Sequence, residues 1–133
     1  MTTTTSRDAD LRAIVDGTAA AVADAPDKAL AVFKATGEGA DGVRTELRIG
    51  RHEVTIDEPP ALGGQDAAIN PVEAALAALL SCQVVTYRFW AAKLGIPLED
   101  VQVETEGDLD VRGFFGFDDA VRPASARSGS SCR

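Results

Sequence analysis

The period of the apolar positions changes several times along this chain, and each change marks an element. Between residue 8 and about residue 24, Leu11, Ile14, Val15 and Val22 recur at helical spacing among alanines. This predicts a short amphipathic helix that ends at Pro26, with Gly17 as its weak point. From Ala29 the period falls to two, with Leu30, Val32 and Lys34 alternating against Ala31, Phe33 and Ala35. Gly37, Glu38, Gly39, Asp41 and Gly42 then supply turn chemistry before Val43 to Ile49, and Gly50-Arg51 makes a tight connection into His52 to Ile56. His52, Val54 and Ile56 share one face of that last run, so the expectation is a three-stranded antiparallel meander.

Pro59 and Pro60 stop the third strand because proline donates nothing to a ladder, and Leu62-Gly63-Gly64 opens a loop that reaches Asn70. Asn70 then suits an N-cap, Pro71 the first helical position and Glu73 the third, where its carboxylate reaches back to the cap N–H. From Val72 to Leu94 the pattern is apolar almost all round, which predicts a core helix packed on more than one side and capped by Gly95. Beyond Pro97, alternation returns over Val101 to Thr105 and Leu109 to Val111, and Gly113-Phe114-Phe115-Gly116 reads as further extended chain. Residues 123 to 133 carry no apolar period and read as a polar, disordered tail.

A chain of 133 residues has the usual size of one domain. Its 13 Lys and Arg against 21 Asp and Glu leave a net charge of −8, which repels phosphate backbones and anionic lipid, so neither nucleic acid nor a membrane surface is an expected partner. The start, Met1 to Ser6, lacks the apolar stretch of a signal peptide, and no window is read as approaching the ~20 apolar residues of a membrane span. Two cysteines, Cys82 and Cys132, are too few for a disulfide scaffold. The expectation is a cytoplasmic protein with free thiols.

His52 is the single histidine and neither cysteine has metal-ligand spacing, so no metal is expected. No G-x-S-x-G elbow accompanies Ser81, and the short glycine groups do not join a strand to a helix as nucleotide loops do, so no nucleotide cofactor is expected either. Cys82 remains. It lies mid-helix with Ala75, Ala78, Leu79, Val85, Thr86 and Phe89 at neighbouring helical positions. Periodicity alone makes such a residue a small buried hydrophobe with little reactivity.

The run Asp57-Glu58-Pro59-Pro60-Ala61-Leu62-Gly63-Gly64, followed by Asn70-Pro71-Val72-Glu73 and then Ser81-Cys82, resembles the OsmC/Ohr family of thiol-dependent peroxide reductases. Leu94-Gly95-Ile96 and Glu106-Gly107-Asp108-Leu109-Asp110 resemble the segment that follows, so the likeness spans roughly residues 30 to 117. It implies an α+β fold with an antiparallel sheet on a long central helix, and two chains intertwined into a homodimer with the reactive cysteine near the interface. It also implies that Cys82 attacks the O–O bond of a hydroperoxide, becomes a sulfenic acid, and is rescued by a second cysteine and an external dithiol reductant. No cofactor is implied. With Leu79, Val85 and Phe89 around the thiol, organic hydroperoxides are the expected substrates.

The chain departs from the family pattern in four respects. Peroxidase branches place an arginine in the first hairpin loop and a glutamate directly after Asn-Pro, and here Ala40 and Val72 stand at those positions. Glu73 and Arg44 are the substitute candidates for catalysis, although Glu73 precedes Cys82 by nine residues and 9 × 100° sets it on the opposite helix face. Arg48 and Arg51 are further nearby cations, His52 reads as a strand residue, and Cys132 stands in the polar tail, where no resolving role is assigned. Residues 1–28 then form an N-terminal helical segment and 29–122 an OsmC-like domain without the family's last strand and helix. The expectation for residues after about Arg122 is an altered reading frame or a truncation. Two alternatives stand beside peroxidase: a non-catalytic OsmC-like protein that binds a small apolar ligand, and a truncated inactive product.

Overall fold

The structure, a computed structural model, describes residues 3–123 and 127–132. In chain order they form α1 (Thr3–Asp24), a short 3-10 turn at Pro26–Ala29, β1 (Ala35–Gly39), β2 (Thr45–Ile49), β3 (His52–Ile56), a second 3-10 turn at Pro60–Leu62, α2 (Pro71–Leu94), β4 (Val103–Asp108), α3 (Val111–Phe114) and β5 (Arg127–Cys132). The fold class is α+β.

The meander is present: β1, β2 and β3 pair antiparallel in sequence order. Ile49 faces His52 across the Gly50-Arg51 connection, and Thr45 faces Ile56 at the other end. Gly50 has φ +61, and glycine at the first central position of a two-residue hairpin matches the right-handed twist of the flanking strands. β1 differs from expectation. Ala35 pairs with Ile49 and Gly39 with Thr45, so Gly37 and Gly39 lie inside the strand and the turn falls at residues 40–44. Residues 30–34, expected in the strand, are outside the ladder. The reason is length: β2 ends at the Gly50 turn and offers no backbone opposite them. Leu30, Val32 and Phe33 are left 80%, 83% and 92% exposed.

Helix α2 starts where expected. Asn70 Oδ1 accepts the Glu73 N–H at 2.9 Å and Glu73 Oε2 accepts the Asn70 N–H at 2.9 Å, a reciprocal cap that satisfies two otherwise orphaned donors. Gly95, at φ +68, ends the helix by donating to Ala91 and Ala92 carbonyls. Helix α1 runs five residues further upstream than predicted, and it packs against α2. Gly17 does not break it. On its other side α2 meets β4, whose Val103, Thr105 and Gly107 turn inward while Glu104, Glu106 and Asp108 turn out. Thr105 Oγ1 donates to the Leu76 carbonyl at 3.4 Å, tying β4 to α2.

Two expectations fail after α2. The run from Leu109 is not extended: Asp110 accepts the Arg112 N–H at 2.9 Å and caps the short α3, a local side-chain bond that outcompetes strand pairing. The predicted disordered tail is also corrected in part, because residues 127–132 pair antiparallel with β4 from Asp108↔Arg127 to Val103↔Cys132. A ladder is a backbone structure, so a polar sequence joins it once an edge is offered. Residues 1–2, 124–126 and 133 lie outside the described residues, and so does that part of the predicted tail and of the N-terminal segment.

The expectation of a core helix packed on several sides is not met in a single chain. Among the apolar residues described, only Ile56 and Ala92 are buried, each 7% exposed. On α2, Leu79, Val85, Tyr87, Trp90 and Leu94 are exposed. The three-stranded sheet makes no extensive contact with either long helix. The reading that no window suits a membrane also needs correction: α2, with 24 residues and a best-window mean hydropathy of 1.2, is long and apolar enough to cross one. Its alanines raise hydropathy without forming a visibly bulky stretch, and Glu73, Arg88 and Lys93 lie towards its ends.

Candidate functional site

Cys82 lies near the middle of α2 and its thiol is free and exposed. Helical spacing surrounds it with Ala78, Leu79, Val85 and Thr86 one turn away, and Leu79 and Val85 are exposed with it. Ser81, its chain neighbour, turns its hydroxyl back on the helix and donates towards the Ala77 and Ala78 carbonyls at 2.9 and 3.1 Å. The thiol therefore stands on an apolar, accessible helix face rather than in the buried setting that periodicity suggested.

Glu73 is brought to the helix start and committed there to the cap, with its acceptor oxygen on the Asn70 N–H. The helix rise alone separates it from Cys82 by ~13 Å along the axis. Within one chain the structure does not bring these two together.

Arg44 stands at the end of the hairpin turn. Its N–H donates to the Asp41 carbonyl at 3.1 Å, and its carbonyl accepts from Ala40 at 2.7 Å. Its Nε and Nη2 both lie 2.8 Å from Glu46 Oε1, and Glu46 Oε2 accepts from Thr55 Oγ1 at 2.7 Å. The Thr55 hydroxyl, followed by Arg44, holds the Glu46 carboxyl below its ordinary range against the opposing effect of burial. Arg48 pairs instead with Glu53 at 2.7 Å, and Arg51 is exposed at the β2–β3 turn.

The residue that sequence reasoning missed is Asp57. It is 1% exposed, the most buried polar side chain described. Its Oδ2 accepts the Ala67 N–H at 3.1 Å and the Gln65 N–H at 3.0 Å. Those backbone donors, with Glu58 and the more distant Arg44 charge, hold its carboxyl below the ordinary range despite burial. Its own N–H donates to the Ile69 carbonyl at 3.2 Å, so one residue closes the loop at both ends. Gly64 packs so tightly inside that loop that a Cβ there would overlap the Glu58 carbonyl. The only signal in the sequence was an acid at a strand end ahead of a glycine loop, a pattern shared with ordinary surface acids.

Asp57, Arg44, Asp41, Gly42, Gly63, Gly64 and Gln65 line one polar cavity of about 290 Å3. Two apolar grooves, each about 400 Å3, flank Trp90 elsewhere: one lies between α1 and α2 beside Ile14, Val15 and Phe89, the other beneath Leu94, Ile96 and Leu98. Lys93 Nζ sits 4.5 Å above the Trp90 ring. Among the described residues no group of three or more His, Cys, Asp or Glu side chains could hold a metal ion.

The family profile for OsmC-like proteins matches residues 63–130, just over half of the sequence, including the Gly-Gly loop, the Asn-Pro helix start and Cys82. The chain belongs to the OsmC-like family. The match continues past Arg122, where the sequence analysis expected the family pattern to stop. Among solved structures, this OsmC-like chain is similar to the crystal structure of an organic hydroperoxide resistance protein OsmC from Legionella pneumophila, which is also described as a predicted redox protein and regulator of sulfide bond formation. The two are 23% identical, with a TM-score of 0.55 over 77% of this chain and 69% of that one. At that identity the likeness shows the fold. No curated protein matches the sequence. OsmC-like membership covers the Gly-Gly loop, the Asn-Pro helix start and Cys82 on which the resemblance rested, and supports a general role of the family's kind.

Proposed function

We propose that this OsmC-like protein is a cytoplasmic thiol peroxidase that reduces organic hydroperoxides through Cys82. The observation that carries the reading is the exposed thiol on an apolar face of α2, accessible to a substrate whose alkyl part prefers Leu79 and Val85 to water. In the reaction the Cys82 thiolate attacks the terminal oxygen of ROOH, the O–O bond breaks, and ROH leaves with one added proton. Sulfur gives up two electrons and becomes a sulfenic acid. An external dithiol then attacks that sulfur, releases water, and displaces the Cys82 thiol as the dithiol closes to its own disulfide.

The working unit is a homodimer. A single chain leaves Leu30, Val32 and Phe33 exposed beside β1, and leaves the sheet and α2 largely uncovered. Each large apolar side chain so exposed forgoes ~1.5–3 kcal/mol of burial, and several together rival the ~5–15 kcal/mol stability of a domain. A second copy supplies the missing cover and brings a cation to each thiol from outside its own helix.

The direct experiment follows thiol loss after cumene hydroperoxide is added to reduced protein, in wild type, Cys82→Ser and Cys132→Ser. Fast loss that disappears only in Cys82→Ser, reversed by added dithiol, is the expected result. Loss no faster than that of free cysteine would sink the proposal. It would leave the second reading, a non-catalytic protein binding a small apolar ligand, which the grooves beside Trp90 and the commitment of Glu73 to its cap favour.

A further inference from the structure

Trp90 is the single tryptophan of the chain, and one of the two grooves it borders, about 400 Å3 in volume, lies between α1 and α2. Ile14, Val15 and Thr18 form the α1 wall of this groove, and Phe89, Trp90 and Lys93 form the α2 wall. The volume falls within the ~300–1,000 Å3 of small-molecule sites. Ile14 to Thr18 and Phe89 to Lys93 each span one helical turn, so each wall is ~6 Å long along its axis. An apolar floor of this length fits a short alkyl chain.

The charge near the groove is cationic. Lys93 Nζ sits 4.5 Å from the centre of the Trp90 ring, whose face holds the ammonium in place. Among the described residues Lys93 enters no ion pair, so its N–H donors are not committed to a carboxylate. Arg12 approaches the same end of α2, with Nη1 3.5 Å from where a Cβ on Gly95 would stand. The carboxylate that Arg12 meets, Asp16, is 4.0 Å away, and both side chains are more than half exposed. On a chain of net charge −8, two cations beside an apolar cleft reverse the prevailing sign locally, and the ligand they complement is an anion with an apolar body.

We propose that the α1–α2 groove binds a medium-chain carboxylate. The alkyl chain lies between Ile14, Val15 and Phe89 against the Trp90 ring, and the carboxylate meets Lys93, with Arg12 as the second cation. Because the ring already restrains Lys93, less side-chain freedom is lost when the anion arrives. The site needs no reactive thiol, so the inference stands apart from the peroxidase reading.

Trp90 fluorescence is the reporter. Full-length wild type, Cys82→Ser, Lys93→Gln, Ile14→Asp and Leu94→Asp are titrated with octanoate, octanol and octylammonium, each below its aggregation concentration. Ile14 and Leu94 are 54% and 61% exposed, so neither aspartate enters a core, and melting curves confirm that each variant is folded. The expected result is a saturable response to octanoate, which binds roughly 2- to 5-fold tighter than octanol, the gain from one exposed ion pair. Octylammonium should bind weakest. Lys93→Gln should remove the advantage of octanoate over octanol, and Ile14→Asp should abolish saturation. Leu94→Asp, which alters the other groove beside Trp90, should still bind, as should Cys82→Ser. The inference is overturned by no saturable response in wild type, by equal affinity for octanoate and octylammonium, or by binding that survives Ile14→Asp but not Leu94→Asp. A Trp90 signal that follows protein concentration and ignores octanoate would give the groove to a second copy and overturn it too. A thiol inert to hydroperoxide with octanoate binding intact would remove the peroxidase reading alone.

Discussion

Arg44 and Asp57 each lie one residue beyond the Thr45↔Ile56 pair that ends the β2–β3 ladder, and both line the polar cavity between the hairpin turn and the Gly-Gly loop. The Gln65 and Ala67 N–H groups that close the loop both donate to Asp57 Oδ2, so they favour its ionised carboxylate. Its folded pKa is lowered, first by the Ala67 N–H and then by the Gln65 N–H. The stabilisation is therefore complete above the ordinary unfolded value of about 4 and is lost as pH falls through the lower folded value. The charged groups around it are Arg44, Asp41 and the adjacent Glu58. Amide proton shifts of Gln65 and Ala67, followed by NMR from pH 6 downwards, should move together with a midpoint below the usual aspartate range; a midpoint at or above about 4 contradicts this account.

Asp110 offers an independent titration. Arg112 binds it through its guanidinium at 2.6 and 3.0 Å and through its N–H, and the side-chain hydrogen bond, followed by the backbone one, lowers its pKa to about 2. The contribution of this pair is present above the unfolded value of about 4 and disappears as pH falls through about 2. A carboxyl titration should find that midpoint in wild type. In Arg112→Ala the midpoint should move up towards the usual range.

Asn70→Ala removes the acceptor for the Glu73 N–H and should cost about 1 kcal/mol, as loss of an N-cap does. Glu73→Gln keeps an oxygen for the Asn70 N–H and should cost less. If Glu73 is only a capping residue, Glu73→Gln leaves the hydroperoxide rate unchanged; a large fall in rate at unchanged melting temperature would restore it as a catalytic candidate.

Phe33, 92% exposed in the single chain, tests the assembly. Phe33→Asp places a charge where a second copy is proposed to cover an aromatic ring, so the dimer should dissociate at concentrations where wild type remains associated. Sedimentation at several concentrations gives the answer. Equal association constants for the two proteins would remove the segment from the interface.

What the sequence revealed and what it hid divide along a physical line. Local chemistry was readable: Asn70, Pro71, Glu73 and Gly95 bound α2 because capping is decided within four residues, and Gly50-Arg51 located a hairpin for the same reason. Partnership was not readable. Residues 30–34 alternate like a strand, yet their only neighbouring strand ends at Gly50. Residues 127–132 look unstructured, yet β4 offers them an edge. Cys82 shows both sides of the division: its helix position followed from periodicity, while its exposure depends on what covers α2. Asp57 stayed hidden because its role lies in backbone donors eight and ten residues away, which no residue type announces.

Helix α2 also stands out by its dimensions. Its 24 residues reach a mean hydropathy of 1.2 over their best window, and the rise of a helix makes that ~36 Å, close to the ~30 Å of a bilayer's hydrocarbon core. By length and composition alone, α2 has the dimensions of a membrane-crossing segment, as the core helix of a soluble protein also can. The feature that gives the thiol an apolar setting is thus also the most hydropathic long helix among the described residues.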